Sequence, residues 1–511
     1  MKRYLYILFS FTAYTAVAQN PDDALRTAWF TQNGTARNMA TGGVMGSLGG
    51  DITANHVNPA GIGLYKTREF VLSPGFAMNN NKMNYRGTDT SNNKSNFNYG
   101  TSGIIFGGNA RPGGKWTSSA FAISVNQLAN YNNRVQFKGF NNFSSFTEQY
   151  LEELIRDRAD TNAALSNYIF GSSLAFRTFL IDTIRGPGGS VAGYQSLVPI
   201  STGVNQSYDA ITRGGYHEIA LGLAGNMDDK MYIGGSLTIP IISYQRDLTY
   251  SETDATGSTT NQFKSFEYKE TASSSGIGIG AKLGVIYKPQ DFWRIGFAVH
   301  SPQFITYTDK ISSSINANTE SYAGIRNVTS NSLNSGKPGE RKYNMTTPWR
   351  AIVSASYVFR EIRDTRLQRA FISADLEYVN YRGARVSATD ANSDNTGLTD
   401  YYKVVNEGII DTYKGNINFR IGGELKLHTI MFRLGGAYYG SPYADKELHA
   451  NRVLATGGVG YRDHGIFIDL TYAHTFTKDA QFAYRLNDKP NTFAEQGGSR
   501  GNIALTLGFK F

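Results

Sequence analysis

Apolar and polar residues alternate strictly along much of the second half of this chain, and the polar set carries charge. Trp293, Ile295, Phe297 and Val299 alternate with Arg294, Gly296, Ala298 and His300. Ile417, Phe419, Ile421, Leu425 and Leu427 alternate with Asn418, Arg420, Gly422, Glu424 and Lys426. The same holds for Ala370–Tyr378, Ile430–Gly435 and Ile466–Tyr472. Period two puts the two sets on opposite faces of a strand. A slip of one residue would turn Arg294, Arg420, Glu424, Lys426, Arg433 and Asp469 onto the apolar side. If that side met lipid, each Arg or Lys at mid-depth would cost about 2–4 kcal/mol, against a total folding stability of roughly 5–15 kcal/mol. The charged row is therefore expected to face a lumen. Because an open sheet edge cannot stand in hydrocarbon, the sheet must close.

The links between strands sort by length. Strands are expected near 67–79, 97–109, 115–137, 214–226, 230–250, 262–288, 291–309, 343–360, 368–388, 414–427, 430–440, 452–462, 465–485 and 501–511. Tight links at Arg111-Pro112-Gly113-Gly114, Asn226–Asp229, Pro289-Gln290, His428-Thr429 and Arg462–Gly465 alternate with long polar ones at 80–96, 138–213, 251–261, 310–342, 389–413, 441–451 and 486–500. The link at 361–368 is of medium length. Short turns on one side and long loops on the other are the pattern of a transmembrane antiparallel β-barrel. The expected fold is thus all-β, a barrel of about fourteen strands over 66–511, its largest external loop at 138–213. In that loop, Phe146–Asp160 has Tyr150, Leu151, Leu154 and Ile155 at helical spacing, which predicts a short helix on the barrel mouth.

Residues 1–18 read as a secretory signal: Lys2 and Arg3, then a short apolar run, then Ala16-Val17-Ala18. Residues 19–65 lack strand alternation and are too glycine-rich to fold alone, so they are expected to form a plug held by a surrounding wall. Short helices are predicted at Asp22–Phe30 and Thr35–Leu48, the second ended by Gly49-Gly50. The chain has no cysteine, which excludes disulfides, thiolate metal sites and cysteine nucleophiles. The net charge of +9 is scattered, so no nucleic-acid face is expected. The basic residues suit outer-membrane lipid and lipopolysaccharide phosphates and the lumen lining.

Chemistry is sparse. None of the seven histidines has metal-ligand spacing to another. Asp390–Asp394 begins like a calcium loop but then has Asn395 and Tyr401 where glycine and glutamate belong. Gly276-Ile277-Gly278-Ile279-Gly280 lacks dinucleotide-loop spacing and a following helix, and there is no GxSxG elbow. No catalytic residues, metal or cofactor are expected.

Three stretches resemble the FadL family of outer-membrane transport barrels. Asn58-Pro59-Ala60-Gly61, with the upstream run Ala36–Gly43, is similar to the family's hatch signature. The segment 276–302, with Tyr287-Lys288-Pro289 before a turn, Arg294-Ile295-Gly296 after it and Ser301-Pro302 at its end, resembles the family's central hairpin. The last residues, with Ile503, Leu505, Leu507, Phe509 and Phe511 on one face, resemble the terminal strand read by the barrel insertion machinery. The resemblance implies a monomeric barrel in the outer membrane of a Gram-negative bacterium, with an N-terminal hatch gated around Asn58, Pro59, Ala60 and Gly61. It implies passive transport of a hydrophobic small molecule, such as a long-chain fatty acid or aromatic compound. It also implies an inward kink in the third strand that opens the wall sideways, for which Asn126, Gln127, Asn130 and Asn132 are the candidates. A strand simply ending near Asn126 is the alternative. A second function class is a shuttle or docking barrel for secreted proteins, working through its external loops.

Overall fold

The computed structural model describes residues 22–109, 114–359, 369–389, 396–446, 448 and 450–511. The signal segment, the turn residues 111–113, the link at 361–368, the calcium-like stretch at 390–395 and His449 lie outside the described residues. The wall is a closed barrel of 14 antiparallel strands. In order they are Arg68–Leu72 continued by Pro74–Tyr85; Thr88–Tyr99 continued by Ser102–Asn109; Trp116–Asn130 continued by Asn133–Asn141; Val204–Met227; Met231–Asp254; Ser265–Gln290; and Trp293–His300 continued by Phe304–Asn318. There follow Gly339–Thr346 continued by Arg350–Phe359; Ala370–Asn380 continued by Arg385–Ala388; Gly415–Leu427; Ile430–Tyr439; Asn451–Asp463; Ile466–Gln481; and Ala494–Lys510. Each pairs with its neighbours in sequence, and the last pairs with the first: Phe70 faces Phe509 and Gly75 faces Ala504. The Phe511 and Arg68 backbones exchange two hydrogen bonds of 3.1 Å that complete the seam.

The outer face is a belt of exposed apolar side chains, including Ile295, Phe297, Phe419, Leu434, Ile468 and Phe509, while Arg294, Arg420, Arg433 and Asp469 are buried inside. The seventh strand alternates exposed and buried without interruption from Trp293 to Val299. The register argument thus selects the observed face, and a closed cylinder with this belt is a membrane-spanning wall of the outer-membrane kind. No described helix is long and apolar enough to cross a membrane.

Strands four to six are 24, 24 and 26 residues long, more than twice the 9–11 residues a bilayer crossing takes. They rise beyond the membrane and carry the insertion after the third strand. That insertion holds helices Glu148–Arg156, Thr161–Ser166 and Ser172–Arg177 and a hairpin of Ile181–Arg185 with Val191–Ser196. Phe146, Tyr150, Leu154 and Leu174 pack on wall aromatics Tyr250, Phe266 and Tyr268, and the Phe146 and Tyr250 rings stack at 4.6 Å. The helix buries Tyr150 and Leu154, so its apolar face is occupied by packing the cap onto the wall.

Three expectations need correction. The stretch 80–96 is a strand hairpin turning at Arg86-Gly87, both at positive φ. Its inward face buries Met83 and Tyr85, while its outer face, with Asn80, Lys82, Ser91 and Asn93, is polar because it stands above the hydrocarbon. The last strand begins at Ala494, well before 501, for the same reason. The helix expected over Thr35–Leu48 spans Ala36–Ala40 alone. Gly42 and Gly43, at φ 70° and 84°, turn the chain where its backbone meets the wall at Gly435 and Gly436, a left-handed conformation that favours glycine. The sequence pattern predicts neither Ala54–Val57, Thr161–Ser166, Ser172–Arg177 and Ser330–Leu333 nor the longer helix Thr396–Thr412.

Candidate ligand channel

The plug fills the lower lumen. Its residues from Ala36 to Gly63 are almost all buried, and the wall beneath them is notched with glycine. A Cβ on Gly422 or Gly435 would strike the Thr41–Gly42 backbone, on Gly296 the Gly46 carbonyl, and on Gly234 the Pro59–Ala60 peptide. The glycines on the inner face of the strands are therefore the seat of the plug.

Asn58 joins the two. Its Oδ1 accepts from Ala60 N at 3.1 Å and so caps the 3₁₀ helix Pro59–Leu64. Its Nδ2 donates to Gly46 O at 2.6 Å and reaches Val285 O at 3.3 Å and Phe297 O at 3.5 Å. Pro59 occupies the first helical position, where its missing N–H costs nothing, and Ala60 and Gly61 are buried behind it. Val285 and Phe297 belong to the central hairpin, so two stretches remote in sequence are in contact in space.

The inward charges are paired rather than bathed in water. Arg433 Nη1 donates to Asp469 Oδ1 and its Nε to Glu424 Oε2, each at 2.6 Å, and Arg37 of the plug donates to Glu424 at 3.1 Å. Arg420 donates to Glu377 at 3.1 Å, and Asp375 accepts from the plug amides Met45 N and Gly46 N at 3.0 and 3.1 Å. Arg294 Nη1 donates to Leu48 O at 2.8 Å. Lys426 lies half-buried further down the same face. Glu424, Asp375 and Arg294 among them tie the wall to the plug through Arg37, the Met45 and Gly46 amides and Leu48 O. Sequence reasoning missed a third latch: Glu218 Oε1 meets His56 Nδ1 at 2.8 Å, Lys282 pairs with the same carboxylate, and Lys282 Nζ donates to His56 O at 3.0 Å. Gln303 Nε2 donates to Glu218 Oε2 at 2.7 Å. Glu218 and Lys282 sit on inward positions of alternating strands, a signal that was available.

The third strand is interrupted at Tyr131-Asn132 after a bulge between Gln127 and Ala129. The strand does not end at Asn126: it pairs with the fourth strand as far as Asn130, breaks, and pairs with it again from Asn133 to Asn141. Below the break, the second and third strands pair from Asn109↔Ser118 to Ser102↔Val125. Above it, among the described residues, Thr88–Tyr99 pairs with the first strand and Asn133–Asn141 with the fourth, and no backbone ladder joins them. Side chains span the gap. Asn130 Nδ2 donates to Asn96 Oδ1 at 2.8 Å, Asn79 Nδ2 to Asn132 O at 2.8 Å, Asn81 Nδ2 to Arg134 O at 2.7 Å, and Thr90 Oγ1 to Gln136 O at 2.8 Å. Asn130 Oδ1 accepts from Asn132 N at 3.0 Å, an Asx turn that fixes the break. Asn126 Nδ2 donates to Asn33 O at 2.9 Å and Gln127 O accepts from Asn33 Nδ2 at 2.8 Å, tying the break to the plug.

Behind the gap lies a cavity of about 310 Å³ between the plug segment Arg26–Met39, the broken strand and strands twelve to fourteen. Trp29, Phe30, Leu128 and Tyr131 line one flank; Asn81, Gln481, Gln496 and Asn502 line another. No group of described residues could hold a metal ion.

No family model and no curated protein sequence matches this chain. Solved structures do. A Pseudomonas aeruginosa FadL homologue superposes with a TM-score of 0.53 at 13% identity, covering 95% of this chain and 100% of that one. The Pseudomonas putida toluene transporter TodX gives 0.52 at 12%, covering 94% and 99%. The Ralstonia pickettii toluene transporter TbuX gives 0.50 at 16%, again covering 94% and 99%. The fold of this chain is thus that of the FadL-type transport barrels, a fourteen-stranded wall around an N-terminal plug.

Proposed function

We propose that the protein is a passive outer-membrane channel for hydrophobic small molecules, gated by the plug and by the gap beside the third strand, and not an enzyme. The observation that carries this reading is the missing ladder above Ser102↔Val125. A barrel wall normally closes every backbone bond between adjacent strands and leaves no edge open. Here asparagine side chains meet that demand, so the wall can part by rotating side chains while the strands above and below stay paired. The gap adjoins a cavity, and the structures of like fold include toluene transporters. A ligand held in the cavity would leave through the wall into the membrane, while the latched plug blocks the axial path.

The absence of cysteine allows a clean test. Cysteines at Asn96 and Asn130, joined by a reducible thiol–thiol linker, should bridge the gap. Uptake of radiolabelled toluene or palmitate by cells carrying the linked barrel is expected to fall, and to recover on reduction. Undiminished uptake by a fully linked, correctly inserted barrel refutes the lateral path. The ordered outer cap would also suit a docking role; recovery of a stable protein complex that is lost on deleting 146–200, with no uptake phenotype, would favour that reading instead.

A further inference from the structure

The outward charges above the apolar belt are unevenly balanced around the wall. Beside the gap, two cations each have an acid: Arg134 pairs with Asp209 at 2.6 Å, and Arg213 with Asp247. On the sixth strand Lys269 pairs with Glu267 at 2.6 Å. Strands seven to nine differ. Lys310 and Lys342 share one carboxylate, Glu340, at 3.4 and 3.8 Å. Arg382 and Arg385 are exposed, and among the described residues no carboxylate pairs with either. The 3₁₀ turn Tyr381–Gly383 interrupts the ninth strand here, burying Tyr381 and leaving Arg382 outside. Arg385 Nη1 donates to the Arg382 and Ala384 carbonyls at 2.8 and 2.7 Å, which holds the two guanidinium groups on one turn.

The register fixes their height. Arg385 stands opposite Thr346, and Thr346 opposite Phe304. Phe304, 61% exposed, is the last apolar residue of the belt on the seventh strand. Just below, the exposed Trp349 and Tyr378 rings meet at 5.4 Å, the aromatic girdle of a membrane boundary. Arg382 and Arg385 are therefore level with lipid headgroups, where a guanidinium takes a phosphate by two parallel hydrogen bonds. Lys342 and Lys310 lie further up strands eight and seven, the higher about 20 Å along its strand and roughly 15 Å in height at the usual tilt. A phospholipid headgroup layer is only about 5–8 Å deep, so a lipid that meets all four cations must continue upward from the membrane as sugar. We propose that strands seven to nine carry a site for lipopolysaccharide. Arg382 and Arg385 take a phosphate of its lipid A, Trp349 and Tyr378 lie against the start of its acyl chains, and Lys342 and Lys310 meet the acidic groups of its inner core sugars. The gap lies elsewhere on the cylinder, beside the balanced charges, so the site goes beyond the channel reading and does not depend on it.

The test uses the full-length barrel in neutral detergent, offered lipid A, the same lipid A stripped of phosphate, phosphatidylglycerol, and lipopolysaccharide carrying only the inner core. Lipid retained per barrel is measured by mass spectrometry. The two phosphorylated glycolipids are expected to be held about tenfold more tightly than the stripped lipid A or phosphatidylglycerol. Arg382→Gln/Arg385→Gln is expected to remove that preference, and Lys310→Gln/Lys342→Gln to weaken only the lipid with core sugars. Lys269→Gln, on the balanced sixth strand, is expected to change nothing. Heat-modifiable migration verifies that each variant is folded. Equal retention of lipid A with and without phosphate, phosphatidylglycerol held as well as lipid A, or an unchanged order in the double arginine variant overturns the site. A loss as large in Lys269→Gln reveals general charge attraction and overturns it too. None of these results bears on the channel.

Discussion

Replacing Glu218 by glutamine isolates the latch between plug and wall. The carboxylate is buried, meets His56 Nδ1 at 2.8 Å, pairs with Lys282 and accepts from Gln303 at 2.7 Å. Glu218→Gln keeps the shape and removes the charge, so Lys282, 5% exposed, stays buried with His56 O as its main partner. Breaking one side of a buried pair costs about 3–5 kcal/mol. All of that falls on the closed plug, because a released plug lets water reach Lys282. At about 3 kcal/mol the equilibrium for lifting the 54–64 segment shifts a hundredfold or more toward open. Hydrogen exchange of the amides at 54–64 should therefore quicken by that factor in a barrel that still migrates as folded. The double variant Glu218→Gln/Lys282→Met removes both charges and should recover most of the loss. Unchanged exchange at 54–64 in the single variant, or a double variant as loose as the single, would refute the reasoning.

Asn58→Ala removes both the cap on Ala60 N and the clamp on Gly46 O; a helix cap alone is worth about 1 kcal/mol, so uptake of apolar compounds should change while heat-modifiable migration persists. Gly284→Val places a side chain where Asn58 Oδ1 and Pro59 Cδ sit; it should unseat the plug and raise conductance to small ions in planar bilayers, without lowering barrel yield. Arg420→Met takes the ion pair from buried Asp375, leaving it only neutral donors, and leaves Glu377 with Arg350 and Asn418; it should lower resistance to denaturant by about 3 kcal/mol, read from urea-dependent gel migration. Phe511→Ala weakens the exposed end of the closing strand and should slow folding into liposomes more than it lowers the final folded fraction.

The strand pattern was legible in the chain because a wall with lipid on one side and a lumen on the other imposes period two at every residue. The inward row of Arg294, Arg420, Arg433 and Asp469 followed from the same rule, and so did the sorting of short and long links. Where lipid no longer dictates, that signal fades. The hairpin at 80–96 lacks the signal because its outer face is polar and only Met83 and Tyr85 mark its inner one. The helix Thr396–Thr412 was hidden because nothing in local sequence says what it will lie against.

The wall, its register and its closure can be read from residue order alone, since each rests on the energy of putting one side chain in hydrocarbon or out of it. Which groups meet inside depends on the three-dimensional arrangement: Asn58 reaches Val285 and Phe297, and Glu218 stands between His56 and Lys282. Those contacts join residues tens to hundreds of positions apart, and no local pattern encodes them. They depend on how far each strand is staggered around the cylinder and on where glycine lets the plug approach.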